Sequence, residues 1–321
     1  MQYQNSRSQD LQKLNDTLQL VSSVALKKFK QAIRNKDYGD YFKFINSNVE
    51  LGVVFGEFNS SYLKELGADH FSYKVIEPSE EISNKVKEKN INVFSVETIE
   101  RSDGFKSSNV VALFPEMFVG NYKSKFSDPV FYFLDKFYER HINYTQNIIE
   151  QSDSQEYFLE LKNLCLADFS NWVHLHEHFH RQGKMPIPEF LFEKGSPLGA
   201  AFEELRVDLK VMEYCLTSKG LYKTFLLVLS ERMFLYPVIR EKGSFDSIAS
   251  LFLYNELIDI KCNDHMLGKI RELIISFEDI ESEVVKLTSK VDRKMKLIKK
   301  LTPLFNVEDN YFFEERRNEL I

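Results

Sequence analysis

Every run in this chain that reads as a β-strand lies in its first 120 residues, and this asymmetry bounds the fold. "VELGVVFGEF", "HFSYKVI", "INVFSVET" and "NVVALFPEMFVG" are short, β-branched or aromatic, and bounded by Gly, Asn, Pro or Ser. A helix from about Leu11 to Ile33 precedes them, with Leu11, Leu14, Leu18, Val21 and Leu26 near helical spacing. From about Asp128 onward, beginning with "DPVFYFLDKFYERHINYTQNIIEQ", the texture turns helical. It stays so to a last long helix expected from about Leu267 to Leu301. The pattern predicts an α+β chain: a mixed α/β part over residues 1–125, then a mainly helical part over residues 126–321. No internal repeat and no low-complexity linker separates them, so the two parts are expected to pack together.

Composition removes several classes of function. A chain of 321 residues has room for one large domain or two smaller ones. Its net charge of -6 is not that of a nucleic-acid binder, which needs a concentrated basic surface. The basic end of the last helix, "KVDRKMKLIKK", reads as a solvated face with charges that suit a helix C-terminus. No stretch of 18 apolar residues is present, so no membrane span is expected. The first residues, "MQYQNSRSQDLQKLND", lack the apolar core of a secretory signal. Cys165, Cys215 and Cys262 form no CxxC pair and read as reduced, buried thiols of a cytoplasmic protein.

Four of the seven histidines fall within "VHLHEHFH", residues 173–180. The stretch contains HExxH, from His176 through Glu177 to His180. Residues at i and i+4 share a helix face, so both imidazoles can reach one cation while Glu177 touches a water on it. Leu161, Cys165, Phe169 and Trp172 run at helical spacing into His176 and His180, which points this pair inward. His174 and His178 have the same spacing on another face and lack the following Glu, so they read as surface residues or as partners of the ligands.

A third ligand is expected downstream, in "GSPLGAAFEELRVDLKVMEYC". Ser196 and Pro197 signal a helix start, with Ser as N-cap and Pro at the first position. Glu204 and Asp208 fall beside the apolar stripe of Leu205, Leu209, Met212 and Leu216, where an unpaired charge is expensive. A metal with its histidines accounts for them. His176, His180 and Glu204 make a two-His-one-Glu set with an open fourth position, a catalytic zinc arrangement. Asp208 is placed to accept the second N–H of one ligand histidine, and Glu203 either does so for the other or is exposed.

HExxH on one helix with ExxxD on the next resembles the gluzincin zinc metallopeptidases. The doubled acid in "EELRVD" is similar to the dipeptidyl peptidase III family. The first motif is one residue shorter than in that family, and the second ends in Asp208 where the family has Glu. The resemblance covers about 40 residues. It implies zinc ligands His176, His180 and Glu204, with Glu177 as general base.

The chemistry expected is hydrolysis of a peptide or small amide by a zinc-activated water. An oxyanion donor is also needed, and Tyr236 and Arg240 in "FLYPVIRE" are the candidates favoured over Tyr254 and His265. Alternatives stay open: a zinc or mononuclear iron enzyme of small-molecule biosynthesis, or an inactive zincin-like interaction module. A di-iron carboxylate site needs a second ExxH, and the chain has none.

Overall fold

The computed structural model describes residues 51–55, 70–87, 91, 93–101, 109–112, 130–145, 147–148, 161, 163–260, 263–306 and 313. The helix expected over residues 11–33, and Cys262, lie outside them. The chain is α+β and divides into two compact units. One comprises residues 1–77 and 90–137, the other residues 78–89 and 138–321.

The first unit is built on a five-stranded sheet in the order β1-β2-β3-β5-β4. Its strands are β1 (Leu51–Phe55), β2 (His70–Val75), β3 (Val93–Arg101), β4 (Val110–Ala112) and β5 (Val130–Phe133). All neighbours are antiparallel except β3 and β5, which are parallel. The strand runs read from sequence contain β1, β2 and β4, and β3 starts in "INVFSVET" and continues to Arg101. The fifth strand corrects the expectation that strands end before Asp128. "VFYF" is a short run with Phe131, Tyr132 and Phe133 all buried, so it lacks the alternation that marks a half-exposed strand. Phe131 stacks on Phe94 with ring centroids 4.8 Å apart and meets Tyr73 edge-on. The helix that follows at once, α2 (Leu134–Arg140), is tied to β3 by Asp135, which accepts from Thr98 Oγ1 at 2.7 Å and Arg101 at 2.6 Å.

The second unit is helical. It contains α1 (Glu80–Lys87), α3 (Leu166–His180), α4 (Leu191–Lys194), α5 (Pro197–Thr217), α6 (Tyr222–Ser230), α7 (Tyr236–Ile239), α8 (Phe245–Leu257), α9 (Asn263–Val284) and α10 (Lys290–Leu304). Two π-helical turns, His141–Thr145 and Glu231–Leu235, interrupt the regular pattern. The centre is α5, against which α3, α6, α8 and α9 all pack. It starts as its sequence signals: Ser196 Oγ accepts from the Gly199 N–H, with Pro197 at the first position. Phe202, Leu205, Val207, Leu209, Val211 and Met212 are all inaccessible to solvent, so the helix is buried around its circumference. The charges at its buried positions, Glu203, Arg206 and Asp208, must therefore find partners inside the protein.

Two further expectations are corrected. The helix expected over residues 267–301 is two helices, α9 and α10, because Ser289 caps a new start by accepting from the Asp292 N–H. Val284 is buried but Leu287 and Val291 beyond it are exposed, so the helical spacing that runs through the three does not mark a core stripe. Cys215 is buried, but Cys165 is exposed. The helix starts one residue later, at Leu166. Cys165 is its N-cap residue, and its N–H donates to Asp168 Oδ2 at 2.9 Å.

Candidate metal centre

The helix α3 carries His176 and His180 one turn apart, and α5 carries Glu204 opposite them. One donor atom from each of the three lies within 4.8 Å of the others. The two Nε2 atoms face each other at 3.0 Å, with ring planes nearly perpendicular. Glu204 places Oε2 at 3.3 Å from His176 Nε2 and Oε1 at 3.7 Å from His180 Nε2.

The remaining ring nitrogens explain that geometry. His176 Nδ1 donates to Asp208 Oδ1 at 2.9 Å, and His180 Nδ1 donates to Glu203 Oε1 at 2.9 Å. An ionised carboxylate only accepts, so each imidazole carries a proton on Nδ1, and a neutral ring then presents the lone pair of its Nε2. Two lone pairs and a carboxylate oxygen then converge on one point, which is repulsive unless a cation lies between them. Ligand atoms on a tetrahedral zinc ion at about 2.0–2.1 Å stand about 3.3 Å apart, close to the separations found. The donor set fits such an ion.

The electrostatics point the same way. Burial works to raise the Glu204 carboxyl, but His176 first, then His180 and Arg232, outweigh it and hold the group down at about 2. Burial also opposes ionisation of Asp208 and Glu203, which Arg232 and His176 hold far down in one case, and His180, Arg206 and Lys194 in the other. Burial opposes charge on His176 as well, yet Asp208 and Glu204 raise its pKa well above 6.5. Positive charge is favoured between the rings, whether a proton or a metal ion brings it.

The other named residues fall as follows. Glu177 lies beside His176 on α3 and is partly exposed. His174 and His178 are buried, which corrects the reading of them as surface residues, because α1, α5 and α6 pack around α3 and leave it little exposed surface. His174 Nδ1 bonds Ser170 O at 2.9 Å, and His178 Nε2 meets Gln182 Nε2 at 2.6 Å. Tyr236 is buried under the guanidinium groups of Arg140, Arg232 and Arg240, which lie 4.7–5.3 Å from its ring centroid. Arg240 pairs with Asp246 at 3.1 Å. Neither Tyr236 nor Arg240 forms a hydrogen bond or ion pair with His176, His180 or Glu204.

Sequence reasoning missed Arg232. It donates to Asp208, to Glu204 Oε2 at 3.1 Å and to Asp246 at 3.1 Å. Its signal was a charged pair, Glu231-Arg232, inside the apolar run "LLVLSERMFLYPV". Trp172, whose Nε1–H donates to Asp208 Oδ1 at 3.1 Å, was missed too, because its place on an apolar stripe hid a polar role.

The sequence matches no protein-family model and no curated protein. Among solved structures, the fold is similar to dipeptidyl peptidase III from Caldithrix abyssi. The TM-score is 0.63 and the identity 13 %, over 92 % of this chain and 64 % of that one. It is also similar to dipeptidyl-peptidase III from Corallococcus sp. strain EGB, with a TM-score of 0.52 and 12 % identity over 99 % of this chain and 71 % of that one. The likeness is one of fold, and this chain spans about two thirds of the length of those proteins. Among the described residues, no helix is long and apolar enough to cross a membrane.

Proposed function

We propose that the chain is a zinc-dependent hydrolase of amide bonds, a peptidase or amidase. One observation carries the reading: three donor atoms converge on α3 and α5, and each imidazole among them is fixed by its own buried carboxylate. In this reading His176, His180 and Glu204 hold the ion, and Asp208 and Glu203 set the tautomers. With three protein donors a fourth position is left for water. When bound, zinc supplies a Lewis acid and brings the pKa of its water towards neutrality. Glu177 takes the proton of the attacking water and passes it to the leaving amine. Tyr236 or Arg240 donates to the developing oxyanion. The fold likeness to two dipeptidyl peptidase III structures supports a peptide over other amides as substrate.

Elemental analysis should find one divalent ion per chain, lost in His176→Ala, His180→Ala and Glu204→Ala. Glu177→Gln should keep the ion and lose about 10²–10⁴-fold in turnover of a mixed peptide library or an amide panel. Tyr236→Phe and Arg240→Met, read in the same assay, test the oxyanion assignment. Purified protein that holds no metal and takes up no zinc refutes the proposal. So does Glu177→Gln turning over a substrate at the wild-type rate.

A further inference from the structure

Four charges stand behind His180 in the protein interior: Lys194, Glu203, Arg206 and Glu281, none more than 2 % exposed. Lys194 Nζ donates to Met185 O at 2.5 Å, Glu203 Oε2 at 2.5 Å and Glu281 Oε1 at 2.8 Å, which uses all three of its N–H groups. Arg206 grips Glu203 with two bonds, Nε to Oε2 at 2.9 Å and Nη2 to Oε1 at 2.8 Å. Its Nη2 also donates to Phe179 O at 3.0 Å, and its Nε lies 3.5 Å from Glu281 Oε1. Glu281 Oε2 accepts the Lys184 N–H at 3.1 Å. Two cations and two carboxylates balance. Removing any one leaves an uncompensated buried charge, the costly case for an internal ion pair.

The cluster also holds a particular piece of chain. Three of its partners, Phe179 O, Lys184 N and Met185 O, belong to the last turn of α3 and the loop after it. Gly183 in that loop has φ +99°, and a Cβ there would stand 3.0 Å from Glu281 Oε2 and 3.1 Å from Arg206 Nη1. Loop and cluster are therefore in direct contact, and a side chain at position 183 would press on both Glu281 and Arg206. His180 sits in this turn, and Glu203 Oε1, which receives its Nδ1–H, is also held by Arg206.

We propose that Lys194 and Glu281 are positioning residues of the metal centre. They hold the Glu203 carboxylate where it orients His180, and they lock the turn that carries His180. The inference rests on the reading of His176, His180 and Glu204 as ligands of a divalent metal. Glu281 is 77 residues beyond Glu204 in sequence and forms no hydrogen bond or ion pair with any of the three. Without its charge, Lys194 and Arg206 have only Glu203 to share, and that carboxylate is drawn towards them and away from His180. Without Lys194, Glu203 and Glu281 lose the cation that bridges them, and Glu203 is no longer fixed along its Oε2 edge.

The test is zinc affinity of the full chain, by competition with a chromophoric chelator, together with the visible spectrum of the cobalt-substituted protein. The variants are Glu281→Gln, Glu281→Asp, Lys194→Met, Glu203→Gln and the Glu203→Gln/Glu281→Gln double. The control is Lys210→Met, which breaks the Lys210–Glu278 pair (2.6 Å) across the same helices, α5 and α9, outside the cluster. Loss of a group that orients a ligand costs about 10–100-fold in metal affinity. Glu203→Gln should show that loss and Glu281→Gln about 10-fold, each with a changed cobalt spectrum. Glu281→Asp should recover part of it, and Lys210→Met should change neither readout. The double variant should bind no more weakly than Glu203→Gln alone, because both act through one carboxylate. If Lys194→Met does not fold, the isosteric Glu281→Gln carries the test, read on protein shown to be folded by circular dichroism. Wild-type affinity and spectrum in Glu281→Gln overturn the inference, as do losses that add in the double variant. An unaltered chain that takes up neither zinc nor cobalt overturns the metal reading, and this inference with it. Uptake by the unaltered chain with unchanged variants overturns this inference alone.

Discussion

Asp208→Asn changes one buried atom and disturbs three contacts. Asp208 is inaccessible to solvent and accepts from His176 Nδ1 at 2.9 Å, from Trp172 Nε1 at 3.1 Å and from Arg232. An asparagine that keeps its carbonyl towards His176 and Trp172 turns its amide N–H₂ towards Arg232, donor against donor. Flipped, it donates to His176 Nδ1 and moves the ring proton to Nε2, where a metal must bind. Arg232 keeps Glu204 and Asp246, each at 3.1 Å, so its charge is not stranded. The loss therefore falls below the 3–5 kcal/mol of a fully broken buried pair, and we expect about 2–3 kcal/mol, the worth of hydrogen bonds to a charged group. Zinc affinity should fall about 10–100-fold, or about 1.4–2.7 kcal/mol. Trp172 is the only tryptophan in the chain, so fluorescence in urea reads the unfolding of this helix directly. An asparagine variant with the wild-type urea midpoint and wild-type zinc affinity would refute the reasoning.

Two further expectations concern neighbouring groups. Replacing His174 and His178 together by Gln should lower stability by about 1–3 kcal/mol, because both are buried, and should leave metal stoichiometry unchanged. Loss of metal equal to that of His176→Ala would show that the wrong histidine pair was chosen. Glu231 accepts from Arg140 at 2.7 Å, His141 at 2.9 Å and Thr145 at 2.8 Å. Burial opposes its ionisation, but Arg140 above all, then His141 and Thr145, hold its pKa below 4.5. A depressed carboxyl contributes stability that is present above the unfolded pKa, about 4.3–4.5, and lost as pH falls through the folded value. Glu231→Gln should thus be about 3–5 kcal/mol less stable at pH 7, with the gap closing on acidification below about 4.5. A gap that does not change with pH in denaturant titrations would contradict this.

The sequence showed most of this fold where a local rule governed it. Ser196-Pro197 marks the start of α5 because capping is decided within four residues. The strand runs bounded by turn residues stand out for the same reason. The fifth strand was hidden because a run of buried aromatics has no period to distinguish it from the helix that follows. The α9–α10 break was hidden because apolar spacing through Val284, Leu287 and Val291 imitates a continuous stripe, although Ser289 and Asp292 form a capping pair. At the candidate centre, His176, His180 and Glu204 were visible as spacing on two helices. Arg232, Lys194 and Glu281 were not, since only tertiary packing brings them together. Glu281 did leave a trace. It falls in the stripe Ile270, Ile274, Phe277, Glu281, Val284, a carboxylate at an apolar position.

The paired carboxylates also bear on how α3 and α5 align. His176 meets Asp208 and His180 meets Glu203, so partner numbers fall as histidine numbers rise, and the two helices run antiparallel. Sliding α5 by one turn, about 5.4 Å, would set Met212 opposite His176 and Val207 opposite His180. Leucines and methionines tolerate such a shift, because one apolar surface packs nearly as well as another. Asp208 and Glu203 do not, since each would be left buried without its imidazole. The helix pair therefore has one alignment, chosen by charge, and it is available before any ion arrives.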